Sequence, residues 1–189
     1  MNKFTDYLLI ILFTISSCCF FISFEQSKIR AYREKTNVNR LDFVAAILFL
    51  ASAVIKLMSM FWNDEGIGVL SYKQRVIIGI IASVLSAAFY VYVLFIALPL
   101  STYGKTSETS LVSSGIYGKC RHPGVYAFTL CALSMAFLGG SWQLLIAALF
   151  YSGLNLLYVY LQDIKYIPQY IKGYEEYKKE VPFLAFWKK

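Results

Sequence analysis

Apolar positions in this chain fall in long runs, without the strict alternation of a half-buried strand. Five stretches, Tyr7–Phe24, Phe43–Trp62, Val76–Leu100, Gly124–Gly139 and Trp142–Leu161, reach or approach the roughly 17–25 helical residues that cross a hydrocarbon core. The fourth is the shortest. With Gly139-Gly140-Ser141 ahead of Trp142, it reads as one arm of a tight helical hairpin. Polar segments separate the runs. The longest, Ser101 to Cys120, is rich in Ser, Thr and Gly. A helix connection of that length is usually mobile or functional, so it either covers a ligand or serves as a solvated linker.

Composition agrees with the pattern. Apolar residues make up 58% of the 189 and charged residues 15%, with a mean hydropathy of +0.57. A soluble domain averages about 45–50% apolar and about 25% charged. The expected class is therefore an all-α integral membrane protein with about five transmembrane helices and a cytoplasmic C-terminal helical segment. No internal repeat or change of composition divides the chain. Residues 1–189 read as one membrane domain, with a three-helix scaffold over 1–100 and the clustered polar residues over 101–189.

A net charge of +7 raises nucleic acid as a partner, but the placement of the charges argues against it. Lys28, Arg30, Arg33, Lys35 and Arg40 fill the first loop. Lys105, Lys119 and Arg121 lie in the third, and six lysines follow the fifth run. The opposite side carries Lys3, Lys73 and Arg75. Positive charge gathers on the cytoplasmic side of membrane proteins, so the N-terminus is expected outside and the C-terminus inside.

Three local features carry less weight. Ile15-Ser16-Ser17-Cys18 is similar to a lipoprotein cleavage site, but apolar character continues to Phe24 and Asp6 weakens the basic n-region. Cys18, Cys19, Cys120 and Cys131 form neither a disulfide framework nor metal spacing, and a lone histidine without clustered acids or thiols predicts no metal site. Lys56 interrupts the second run. An ionisable residue in a membrane is a functional candidate, but Trp62 lies six residues on, about 9 Å along a helix. Snorkelling of the lysine to the outer boundary is the simpler account.

Chemistry concentrates in Gly115-Ile116-Tyr117-Gly118-Lys119-Cys120-Arg121-His122-Pro123, which holds the only histidine. Proline lacks an N–H and has a fixed φ, so it suits the first turn of a helix. Pro123 is expected to open a helix with His122 at or beside its cap. The free N–H groups of that helix start would then face the same place as Arg121 and His122, in a position to hold an anion. An arginine anchored among headgroups is the plainer alternative.

A second cluster lies on the fifth run. Asn155, Tyr158, Gln162 and Tyr166 recur at three- or four-residue steps and share a helix face. Asp163 follows where the helix leaves the membrane, and Pro168 ends the pattern. Interhelical hydrogen bonding would also account for such a face. Beyond it, the charges from Ile171 to Pro182 suggest a solvated cytoplasmic helix, in which Tyr174 and Tyr177 lie three apart and share a face.

Taken together, Gly115-x-Tyr117, Arg121-His122-Pro123, an acid at the end of a long helix, Tyr174-x-x-Tyr177 and Val181-Pro182 resemble the isoprenylcysteine carboxyl methyltransferases, whose wider relatives include membrane phospholipid N-methyltransferases. The resemblance covers roughly Leu111 to Pro182. It implies an integral membrane enzyme that uses S-adenosylmethionine on the cytoplasmic side and admits a hydrophobic, lipid-like acceptor from the bilayer. Carboxylate O-methylation is the expected reaction, with N-methylation of a phospholipid amine also compatible. Three positions depart from the family. Gln162-Asp163 keeps one acid where two adjacent ones are usual. Val125 stands two after the proline where a tyrosine is usual, with Tyr126 one place later. Phe183-Leu184-Ala185-Phe186 lacks a late proline.

On this resemblance, His122 and the helix start at Pro123 hold the cofactor carboxylate. Asp163 favours the cationic end, and Arg121 orients an anionic acceptor or pairs with Asp163. Tyr117, Tyr126, Tyr166 and Tyr174 offer adenine stacking and cation–π contact, with Gly115, Gln162 and Tyr177 completing the cofactor-binding set. Arg121 and Asp163 are the expected catalytic pair. Two rivals remain: an NADPH-dependent sterol-type reductase, which carries a similar Arg-His-Pro tract, and a non-catalytic membrane binding or assembly protein on the same scaffold.

Overall fold

The computed structural model describes residues 3–34, 70–97 and 111–184, together with positions 54, 55, 57–59 and 61. Lys56, most of the run Phe43–Trp62, and the loop between Leu100 and Ser110 lie outside the described residues. Among the described residues the regular structure is entirely helical. Its main elements are α1 (Lys3–Glu34), α2 (Tyr72–Val91), α3 (Pro123–Gly139), α4 (Trp142–Leu161) and α5 (Tyr174–Glu180). Three helical stretches, Ile10–Arg30, Tyr72–Val91 and Trp142–Gln169, are long and apolar enough to cross a membrane, and Pro123–Gly139 is a shorter apolar helix.

Helix α1 does not stop at Phe24. It continues to Glu34, so Lys28, Arg30 and Arg33 ride on the helix and do not form a loop. No glycine or proline interrupts this stretch, and nothing in it favours a break. Helix α2 starts four residues before the apolar run. Ser71 caps it by accepting from Gln74 N, while the Gln74 side chain accepts from Ser71 N at 3.1 Å. This reciprocal pair satisfies two backbone donors that a helix start otherwise leaves unmet.

Helices α3 and α4 form a tight antiparallel hairpin. Gly140 closes α3 in the left-handed conformation at φ 68°, and Ser141 opens α4 by accepting from Leu144 N at 3.2 Å. Arg75, at the start of α2, is only 2% exposed and donates through Nη1 to Leu138 O at 2.6 Å. A cation is favourable at the carboxyl end of a helix, where carbonyls point outward. Close approach makes this packing possible: a Cβ on Gly79 of α2 would stand 2.8 Å from the Leu138 backbone. Ala136, Leu144 and Ala148 form the core of the hairpin, with Leu57, Met58 and Phe61 packed against them. The opposite faces of α2 and α4 stay apolar and exposed, with Ile77, Ile81, Leu85, Ile146, Leu149 and Leu157 all outward.

At its other end the hairpin meets the segments that carry Tyr117 and Asp163. Helix α2 runs into a π turn at Tyr92–Ile96. There Val93 packs with Tyr117 and Ala127, and the Tyr117 hydroxyl donates to Val93 O at 3.1 Å. Helix α4 likewise runs into a π turn, Gln162–Tyr166, then a 3-10 turn, Ile167–Gln169, that contains Pro168.

Gly140 and Gly153 provide a matched test of the hairpin. Gly140→Ala puts a Cβ in a left-handed residue, which costs roughly 1–2 kcal/mol, and drives it into the Arg75 guanidinium. Gly153, inside α4, has open space around it, and alanine is favoured over glycine in a helix by about 1 kcal/mol. Thermal unfolding in detergent should show Gly140→Ala clearly destabilised and Gly153→Ala at or above the parent.

Candidate functional site

The site begins where the chain turns into α3. Gly115, at φ 60°, starts a 3-10 turn over Gly115–Gly118, and Lys119 and Cys120 N–H groups close it on Ile116 O. The next residues do not continue that turn into α3 directly, because Pro123 disfavours helical backbone at the residue before it. His122 accordingly sits at φ −127°, ψ 60° as the N-cap, with Pro123 in the first turn. Its side chain makes no cap hydrogen bond. It points instead at the π turn that follows α4.

Four donors converge there on one carboxylate. Arg121 Nε and Nη2 donate to Asp163 Oδ1 and Oδ2 at 2.9 and 3.0 Å. His122 Nε2 lies 2.8 Å from Oδ1, and the Tyr174 hydroxyl donates to the same oxygen at 2.6 Å. Asp163 is 3% exposed. A carboxylate only accepts, so His122 donates through Nε2–H and its Nδ1 is the nitrogen not engaged by Asp163. The two-pronged arginine contact is the strongest geometry for such a pair. It matches the second of the two roles expected for Arg121, pairing with Asp163.

Arg121 also ties down the C-terminal segment. Its Nη1 donates to Lys178 O at 2.9 Å and to Val181 O at 2.5 Å, and its backbone N–H donates to Pro182 O at 3.0 Å. These carbonyls end α5, where outward-pointing acceptors need partners. Cys120 Sγ donates to Phe183 O at 3.5 Å, and the Tyr126 hydroxyl donates to Leu184 O. The Phe183 ring lies 5.0 Å from the His122 ring, centre to centre, and 5.8 Å from the Arg121 guanidinium. The segment after α5 thus closes over Arg121 and His122.

The tyrosines divide. Tyr177 donates to Tyr117 O at 2.5 Å and packs with Tyr174 and Val181 in a buried cluster. Tyr117, Tyr126, Tyr174 and Tyr177 therefore all join the frame around Arg121-His122-Pro123. Tyr166 is buried within the π turn, with Lys165 Nζ 5.5 Å from its ring centre. Gln162, the neighbour of Asp163, turns elsewhere: its Nε2 donates to Glu25 Oε1 at 2.6 Å. Sequence reasoning missed Glu25, fully buried in α1, and missed the Lys178 and Val181 carbonyls. An ionisable residue directly after an apolar run was the available signal for Glu25. The carbonyls had none.

Burial, then the hydrogen bond to Asp163, pushes the Tyr174 hydroxyl well above its ordinary 10.0. Burial does the same for Tyr177 and raises the Cys120 thiol. A single unoxidised thiol held protonated against the tail is a poor nucleophile.

No protein-family model, curated protein or solved structure matches the chain.

The tyrosine shifts set an alkaline limit on stability. Folded, Tyr174 and Tyr177 keep their protons above the pH at which they ionise when unfolded, 10.0. Their contribution is complete below that value and is lost as pH rises through the folded values. Melting temperature should therefore fall as pH is raised from about 9 to about 11, and Tyr174→Phe should make that fall shallower. An identical slope in the variant would contradict the buried position of the hydroxyl.

Proposed function

We propose that this chain is an S-adenosylmethionine-dependent membrane methyltransferase acting on a lipid-like acceptor. The observation that supports it best is the convergence of Arg121, His122 and Tyr174 on Asp163. Residues singled out from three separate segments of the motif meet at one buried point beside a helix start. The group types there suit such a cofactor. A helix start favours a carboxylate, as does an imidazolium, whose two ring nitrogens both donate, and tyrosine faces favour adenine and a sulfonium cation.

In this proposal His122 and the first turn of α3 bind the carboxylate of the cofactor. Tyr166 and Tyr174 present aromatic surface to its remainder. The bound cofactor supplies an already activated methyl group. The chain's task is then to align donor and acceptor and to exclude water. Arg121 holds the segment after α5 across the site, and Asp163 fixes the orientation of His122 and Tyr174. The charge of Asp163 is met by Arg121, so its role is orientation more than attraction of the cation. The apolar outward faces of α2 and α4 suit a bilayer, from which a hydrophobic acceptor would arrive. The proposal keeps five spans, drawn from the apolar runs, with the N-terminus outside and the site cytoplasmic, an orientation that the distribution of Lys and Arg supports.

Calorimetry in nanodiscs with S-adenosylmethionine and with NADPH tests the reading, followed by transfer of labelled methyl to whole lipid extract. Binding of S-adenosylmethionine and a labelled lipid product are expected. Binding of NADPH instead would indicate a reductase, and binding of neither would indicate an assembly protein. A hydrogen bond to a charged group contributes about 1.5–3 kcal/mol, so His122→Ala should weaken cofactor binding roughly ten- to a hundredfold. Reporter fusions after Arg40, after Lys105 and at Lys189 should all report cytoplasm.

A further inference from the structure

Glu25 belongs to none of the motif segments, yet its side chain is completely buried. Its Oε1 accepts from Lys28 Nζ at 2.8 Å, Tyr158 OH at 2.6 Å and Gln162 Nε2 at 2.6 Å. Tyr170 OH donates to Oε2 at 3.3 Å. Three donors thus crowd Oε1 and a fourth reaches Oε2, so the buried charge is held by partners from both helices. Its partners bracket the π turn that carries Asp163. Tyr158 lies one turn before, Gln162 is the first residue of the turn, and Tyr170 follows it. Helix α1 thus grips the segment at both ends.

Gln162 and Asp163 are consecutive, so their directions are locked together by the backbone. Rotating Gln162 toward Glu25 fixes where Asp163 points. We propose that Glu25 is a positioning residue: acting through Gln162, Tyr158 and Tyr170, it sets the rotation of the π turn that delivers Asp163 to Arg121 and His122. Its importance for cofactor binding rests on the methyltransferase reading, whereas the mechanical coupling does not. A second contact makes the distinction from general helix docking measurable. Thr14 also joins α1 to α4, through the Tyr151 hydroxyl at 2.9 Å, about three turns from Glu25. Its hydrogen bonds go to Ile10 O and Tyr151, away from the π turn.

Cys120 reports the site without any ligand, because its thiol is covered by the segment that Arg121 holds. The experiment uses the full chain in detergent, with Cys18, Cys19 and Cys131 replaced by serine, and measures the rate at which a water-soluble disulfide reagent modifies Cys120. Glu25→Gln should raise that rate by about fivefold or more, since loss of about 1 kcal/mol of closure gives that factor. Thr14→Val should leave it within about twofold, by the same conversion. If Glu25→Gln does not fold, Gln162→Met breaks the same link with the Glu25 charge in place, and the same acceleration is expected. Equal rates in Glu25→Gln or Gln162→Met and the parent, or an equal rise in Thr14→Val, would overturn the proposal. Calorimetry of the parent with S-adenosylmethionine runs alongside. Acceleration without cofactor binding would remove the methyltransferase reading and leave the coupling. Binding with unchanged Cys120 rates would remove the coupling and leave the reading.

Discussion

A carboxylate withdrawn from water must be surrounded by donors, and much of this molecule is arranged to surround Asp163. Arg121 and His122 come from the entrance to α3, and Tyr174 from the start of α5. Because a guanidinium has five N–H groups, the arginine that meets Asp163 also reaches the last carbonyls of α5. One ion pair therefore closes the C-terminal segment onto the α3–α4 hairpin. Breaking a buried pair of this kind by removing one partner typically costs about 3–5 kcal/mol, chiefly because the other charge is left unmet.

The hairpin makes that meeting possible. Gly79 lets α2 lie against α3, Arg75 seals the far end of α3, and Gly140 turns the chain into α4. These features fix the far end of the hairpin, while Asp163 and His122 stand at the near end. There α4 widens into a π turn. Such turns recur at functional sites, and here the irregular segment carries two adjacent polar residues to two separate partners, Gln162 to Glu25 and Asp163 to the α3 entrance. The second carboxylate cluster thus lies back to back with the first.

Much of this was legible in the sequence. Proline chemistry at Pro123 placed the start of α3 and put His122 at its cap, and Gly139-Gly140-Ser141 marked the hairpin. The spacing of polar residues marked the face of α4 whose Tyr158 and Gln162 meet Glu25. Other features depend on tertiary contacts that leave no local trace. The π turn has no composition of its own. Arg75 read as a charge on the outer side of the membrane, and its burial follows only from the position of Leu138 O. The extension of α1 to Glu34 was hidden by its charges, which read as a loop. The closure of Phe183 over His122 depends on backbone carbonyls, which every residue carries.

The central claim, that Arg121 and Asp163 form the buried link on which the site depends, is tested most directly by a double-mutant cycle. Stability of Arg121→Ala, Asp163→Ala and the double variant would be measured by denaturant unfolding in micelles. Interacting residues show coupling of about 0.5–3 kcal/mol, and this pair should lie at the upper end, about 2 kcal/mol or more. The double variant would then be much less destabilised than the sum of the singles. Additivity within about 0.5 kcal/mol, the behaviour of independent sites, would contradict the account.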